Sequence, residues 1–180
     1  KVKNNEIFIN KNASNAIVGL KEFSSNVFKD LRGELWTSYN KKEFKDKDLK
    51  KLNFLHDKFS LNKKNVLRGL HGDFSTYKLI NCPYGEIFQV AADFRKNSLT
   101  FGKYYSVKLS QKNKKSLLIP PGVANGFLVL SDKSIYNYKL AYKGKYKDSD
   151  MQFTIIYNDP FFNIKWPKRK YILSNRDKLK

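Results

Sequence analysis

Arg68, His71 and Lys78 stand where stability alone does not ask for them. Arg68 and His71 lie in Asn65-Val66-Leu67-Arg68-Gly69-Leu70-His71-Gly72-Asp73, whose Val66, Leu67 and Leu70 read as a buried strand. Lys78 interrupts the apolar run from Tyr77 to Ile80 in the strand expected next. An unpaired charge in a core costs several kcal/mol or shifts its pKa until it is neutral. The strand is therefore expected to line a pocket rather than solid core. A lone histidine is more often a satisfied core residue, and a lone lysine can snorkel to solvent. Together with nearby carboxylates and tyrosines they point to general acid–base chemistry. One geometric condition follows from the period of two along a strand: Arg68 and His71 share a face only if the chain bulges or turns at Gly69.

Other chemistries find less support. A metal site needs several converging His, Asp or Glu ligands, and the chain has two histidines, His56 and His71, with no His-x-His. Cys82 sits in an apolar stretch beside a turn and reads as a core thiol. Neither common glycine-rich phosphate loop occurs.

The elements that must position these residues read as strands. Glu6 to Ile9 and Ala16 to Phe23 look like short strands. Asp30-Leu31-Arg32-Gly33 looks like a turn leading into another. Residues 40–51 are Lys/Asp-rich and read as a short exposed helix or a loop. From Leu52 to Tyr142, short apolar runs alternate with Gly, Pro and Asn punctuation such as Pro83-Tyr84-Gly85 and Pro120-Pro121-Gly122. Tyr136, Tyr138 and Leu140 alternate with Asn137 and Lys139. Many short strands without a strand–helix–strand rhythm predict an all-β sandwich or barrel. The basic tail from Trp166 to Lys180 reads as irregular.

Composition sets outer bounds. The 180 residues suffice for one domain with a real core, taken here as residues 1–180. No apolar run is long enough to span a membrane. A single cysteine fits a reducing, cytoplasmic setting. Lys and Arg number 36 against 16 Asp and Glu, a net charge of +20. The lysines are scattered, without an arginine cluster or a nucleic-acid motif, so the charge reads as solvated surface rather than a nucleic-acid face. An anionic small molecule such as a nucleotide would also suit it.

Asn65 to His71 resembles the signature of the dTDP-4-dehydrorhamnose 3,5-epimerase family. Further matches follow in the family's order over nearly the whole chain. They are Phe28-x-Asp30-x-Arg32-Gly33, Lys78-Leu79-Ile80, Gly85-Glu86-Ile87-Phe88 and Asp93-x-Arg95-Lys96-x-Ser98-x-Thr100-Phe101-Gly102. Ile119-Pro120-x-Gly122-x-Ala124-Asn125-Gly126-Phe127, Tyr138-Lys139, Asn158-Asp159, Trp166-Pro167 and Leu173-Ser174-x-x-Asp177 complete the series. The resemblance implies a cupin-type jelly roll with a few short peripheral helices. It also implies a homodimer with N-terminal strands crossing to the partner, no metal and no diffusible cofactor. The implied substrate is a nucleotide-diphosphate 4-keto-6-deoxy sugar inverted at the carbons flanking the ketone.

The resemblance also implies roles. His71 would be the base, oriented by Asp177, with Lys78 beside the developing oxyanion and Tyr138 returning the proton from the other face. Arg68 and Arg32 would hold the diphosphate, and Phe28 or Trp36 would stack on the nucleotide base. Simpler readings stand beside these. Asp177 would be a solvated carboxylate, Tyr138 core like Tyr136, Arg32 a partner of Asp30 or Glu34, and Phe28 and Trp36 core.

Three features depart from the family pattern. Asn125 replaces the histidine of Ala-His-Gly-Phe and cannot carry a proton at neutral pH. That implies a slower enzyme or inversion at one centre only. Thr37 stands where thymidine-using members tend to be acidic, and His71 is followed by Gly72-Asp73. With Asp57-Lys58-Phe59 and Thr76-Tyr77-Lys78-Leu79, these features are similar to GDP-4-keto-heptose epimerases, which favours GDP over dTDP. The rival readings are a 3,4-ketoisomerase and a nucleotide-sugar binding module without turnover.

Overall fold

A computed structural model describes residues 7–42 and 46–178. Glu6 of the first expected strand, residues 43–45 of the Lys/Asp-rich stretch and the last two residues of the tail lie outside the described residues. In chain order the strands are β1 (Ile7–Asn10), β2 (Lys21–Ser25), β3 (Val27–Asp30), β4 (Gly33–Trp36), β5 (Phe54–Lys63), β6 (Leu67–Gly72) and β7 (Tyr77–Tyr84). They continue as β8 (Glu86–Asp93), β9 (Tyr104–Ser110), β10 (Lys115–Ile119), β11 (Val123–Val129), β12 (Lys133–Ala141) and β13 (Phe153–Thr154). Two short helices, α1 (Lys11–Ala16) and α2 (Lys47–Lys51), lie outside the sheets.

The strands form a six-stranded sheet ordered β1-β2-β10-β7-β12-β5 and a five-stranded sheet ordered β13-β6-β11-β8-β9. A separate hairpin pairs β3 with β4. The two large sheets pack face to face over Ile80, Cys82, Ile87, Leu117, Phe127 and Val129. This is the expected jelly-roll sandwich.

Period-two alternation decides which residues look inward. On β7, Ile80 and Cys82 enter the core between the sheets, while Leu79 joins Phe23, Leu49 and Leu118 on the outer face. Lys78 has the same parity as Ile80 and is carried inward with it. On β12, Tyr136 and Tyr138 take the inner face. The outer layer is closed on one side by α2, where Asp46 caps the first turn and buried Leu49 anchors the helix. Ile155, Phe162 and Ile164 close the other side against Val90 and Ala92.

One expected strand is different. Ala16 to Gly19 is not strand but the end of α1 and a following turn. The Ile17 N–H donates to the Ala13 carbonyl at 3.1 Å and closes the last turn, and Ala13, Ile17 and Leu20 are all fully buried. The strand begins only at Lys21. The tail, irregular as expected, is nevertheless docked. Ile172 bridges Val66, the Leu67 N–H donates to the Ile172 carbonyl at 3.0 Å, and the Ile172 N–H donates to the Asn65 carbonyl at 2.9 Å. That anchor delivers Ser174 and Asp177 to β6.

Candidate active site

β6 carries the first two polar residues of the site, and its irregularity is what joins them. Opposite it on β11, Asn125 pairs with His71 and Phe127 with Arg68. Two steps on one strand therefore face three on the other, so β6 holds one extra residue. Gly69 takes it up with φ of +102°, where a side chain is strained. A Cβ on Gly69 would also lie 2.5 Å from the Asn125 carbonyl oxygen. With the bulge, Arg68 and His71 line the same cavity, as the spacing required.

That cavity has a volume of about 340 Å³ and opens between the two sheets. Arg68, His71, Asn125 and Phe127 enter from the five-stranded sheet. Lys58, Lys78, Tyr136 and Tyr138 enter from the six-stranded sheet. Residues of the 146–152 loop and of the tail, including Arg176 and Asp177, complete the wall.

His71 Nε2 lies 2.8 Å from Asp177 Oδ1. Asp177 is 3% exposed and also accepts from the Ser174 hydroxyl at 2.7 Å and the Gly69 N–H at 3.3 Å. Burial alone would raise its carboxyl, but the bonds from His71, Ser174 and Gly69 outweigh it and hold the pKa below the ordinary value. An ionised carboxylate only accepts, so Nε2 is a protonated nitrogen, and in the neutral ring the lone pair is then on Nδ1. Nδ1 meets the Thr154 hydroxyl at 3.2 Å, and Arg176 Nε donates to that hydroxyl at 3.0 Å.

Lys78 is 8% exposed and its Nζ donates to the His71 carbonyl at 3.4 Å. Burial pulls its pKa down to about 8, against the opposing pull of Asp73. Tyr138 is half-buried, and burial raises its phenol despite the cations Lys58 and Arg68. Arg68 Nε donates to Asn62 Oδ1 at 2.8 Å. Asn125 Oδ1 accepts from Gln89 Nε2 at 2.7 Å and from the Tyr136 hydroxyl at 3.1 Å. Tyr136 belongs to the core, stacked on Phe127 with ring centroids 4.2 Å apart, yet its hydroxyl reaches the site. An imidazole and a phenol on opposite sheets, with an ammonium group bonded to the backbone of His71, can exchange protons with one small ligand from two sides.

The hairpin residues do not join this cavity within the chain. Arg32 pairs with Asp30, Nε to Oδ2 at 3.0 Å, and lines a separate hollow with Phe28. The Trp36 ring sits under Lys114 Nζ, 4.3 Å from its centroid, and the Thr37 carbonyl accepts from the Ser25 hydroxyl at 2.9 Å. Cys82 is a buried thiol pushed up to about 12 by burial, as a core thiol should be. Among the described residues no group of three His, Cys, Asp or Glu converges.

Sequence reasoning missed Gln89, Thr154 and Arg176, and it placed Tyr136 in the core alone. Gln89 had a signal: it is the one amide in the otherwise apolar run from Ile87 to Ala92.

The family model described as dTDP-4-dehydrorhamnose 3,5-epimerase matches residues 14–180. The dTDP-4-dehydrorhamnose 3,5-epimerase of Shigella flexneri is 41% identical over 158 residues, covering 86% of each chain. That of Escherichia coli strain K12 is 41% identical over 155 residues, covering 84% of this chain and 82% of the relative. Among solved structures, the dTDP-6-deoxy-D-glucose-3,5-epimerase of Legionella pneumophila, in complex with dTDP-4-keto-L-rhamnose, superposes with a TM-score of 0.86. It is 36% identical and covers 96% of this chain and 90% of its own. The Bacillus anthracis dTDP-4-dehydrorhamnose 3,5-epimerase, with TDP and pyrophosphate bound, gives 0.85 at 31% identity, covering 96% and 97%.

Proposed function

The chain belongs to the dTDP-4-dehydrorhamnose 3,5-epimerase family, and from that premise we propose that it epimerises a dTDP-linked 4-keto-6-deoxy sugar at the carbons flanking the ketone. The observation that carries the mechanism is the His71–Asp177 pair at 2.8 Å on one sheet, with Tyr138 on the other and Lys78 beside His71.

The C–H next to a carbonyl becomes removable when the enolate is stabilised. His71 Nδ1 takes that proton, giving up its long bond to Thr154, and the C–H electron pair moves into the ring as the C=C of the enolate. The carbonyl π electrons move onto the ketone oxygen, and the Lys78 ammonium faces the charge that develops there. Asp177 stabilises the imidazolium. The Tyr138 phenol, kept protonated by burial, then delivers a proton to the opposite face of the carbon, so the centre inverts. The phenolate and the imidazolium return to their resting forms by exchange with solvent. Arg68 meets the diphosphate end.

The nucleotide is proposed as dTDP because the relatives above act on dTDP sugars, and GDP-linked sugars serve as the comparison. The protein is further proposed to be a homodimer in which the β3–β4 hairpin, carrying Phe28, Arg32, Trp36 and Thr37, serves the partner's cavity.

The test is NMR in deuterated water with dTDP- and GDP-linked 4-keto sugars. Epimerisation places deuterium at C3, C5 or both, with the ketone still at C4. A ketone moved to C3 would mean an isomerase. Binding without any exchange would leave only a nucleotide-sugar binding module. His71→Ala is expected to abolish exchange and leave affinity nearly intact.

A further inference from the structure

We infer that Gln89 is a positioning residue: it locks the Asn125 amide so that its NH2 group faces the cavity as a second donor to the substrate oxygen that becomes anionic. The inference rests on the epimerase reading above and concerns the position where histidine is replaced.

The direction of the lock follows from donors and acceptors alone. Gln89 Nε2 lies 2.8 Å from the Val90 carbonyl oxygen, a group that can only accept. The Gln89 atom at that point must therefore be the NH2, and the same nitrogen lies 2.7 Å from Asn125. The Asn125 atom facing it must then be the oxygen, since the alternative sets NH2 against NH2. The Tyr136 hydroxyl donates to that oxygen as well, filling its second lone pair. The two N–H groups of Asn125 Nδ2 are left with no acceptor among the described residues, on a side chain that lines the cavity. Asn125 pairs across the strands with His71. The base reaches a carbon next to the ketone, so the ketone oxygen lies within the same neighbourhood, where Lys78 also enters.

A second observation argues that Gln89 is not there for stability. It is 0% exposed, and its Oε1 is buried without a partner. A leucine would avoid that orphan atom.

The experiment compares Gln89→Leu, Gln89→Glu, Asn125→Asp and the Gln89→Leu/Asn125→Asp double variant, reading kcat, KM and Tm. Gln89→Leu is expected to keep or raise Tm and to lower kcat about tenfold with KM changed less than about twofold, the pattern of a lost oxyanion donor. Gln89→Glu should lose more, because it pulls the Asn125 NH2 inward. Asn125→Asp, with no N–H to offer, should lose about a hundredfold. The double variant should be no worse than Asn125→Asp alone, since the two act as one unit. Full kcat in Gln89→Leu, or losses that multiply in the double variant, would overturn the inference. Absence of turnover in the unsubstituted protein would instead overturn the epimerase reading.

Discussion

At the scale of single residues, the role proposed for Lys78 is set against stability. Its ordinary pKa of 10.5 falls to about 8 in the fold because burial penalises the charge. Below pH 8 the lysine is protonated in both states and the full penalty is present. Between about 8 and 10.5 the unfolded chain holds more proton, so stability rises with pH across that window. The displacement corresponds to about 3 kcal/mol. Lys78→Met, similar in volume and apolar, is expected to raise stability at pH 7 by about 1–3 kcal/mol in urea unfolding while removing turnover. An unchanged or lowered midpoint would mean that the ammonium is better solvated than its burial implies. The alkaline limb of kcat/KM is expected near pH 8, and Lys78→Arg should move it upward, because guanidinium stays charged. His71 and Lys78 are legible in the sequence because each breaks an apolar strand. Asp177 is legible only through the family motif, because it lies 106 positions after His71 and nothing local says that the tail docks on β6. Gln89 and Thr154 escape because alternation tells which face a residue takes, not which residue faces it.

At the scale of elements, β6 is the piece on which the site depends. Its spacing of three between Arg68 and His71 could share a face only through a bulge, and the sequence offers Gly69 for it. The structure supplies the rest: φ of +102° and a backbone approach that leaves no room for a methyl group. Gly69→Ala is expected to cost about 2–4 kcal/mol in denaturant unfolding and to lower kcat, since β6 must shift away from β11 to admit the Cβ. A normal midpoint with normal activity would show that the bulge is not what holds Arg68 and His71 together. The sheets themselves were readable from apolar runs and turns. The helix α1 was not, because the apolar stretch Ala16 to Phe23 joins the end of the helix to the start of β2 and leaves out Ala13, the buried residue four before Ile17.

At the scale of the whole molecule, the chain leaves apolar surface that a second copy would cover. β5 is an edge strand of the six-stranded sheet and exposes Leu55, Phe59 and Leu61. The β3–β4 hairpin projects Leu31 and Leu35 into solvent and keeps Arg32 away from its own cavity. If the hairpin serves the partner's cavity, two defects on different chains can repair each other. Arg32→Glu, which would turn the proposed phosphate-binding fork into a repelling carboxylate, is expected to lose about a hundredfold in kcat/KM. His71→Ala is expected to be inactive. In a mixed dimer, the cavity holding an intact His71 receives the intact Arg32 of its partner, while the other cavity lacks both. After subunit exchange at equal amounts, about a quarter of all sites should be complete, and activity should recover to that fraction of the unsubstituted enzyme. Differently tagged chains recovered together verify that mixed dimers formed. Mixed dimers without recovered activity would place the Arg32 contribution within its own chain or outside catalysis, and a monomer in sedimentation at working concentration would remove the dimer altogether.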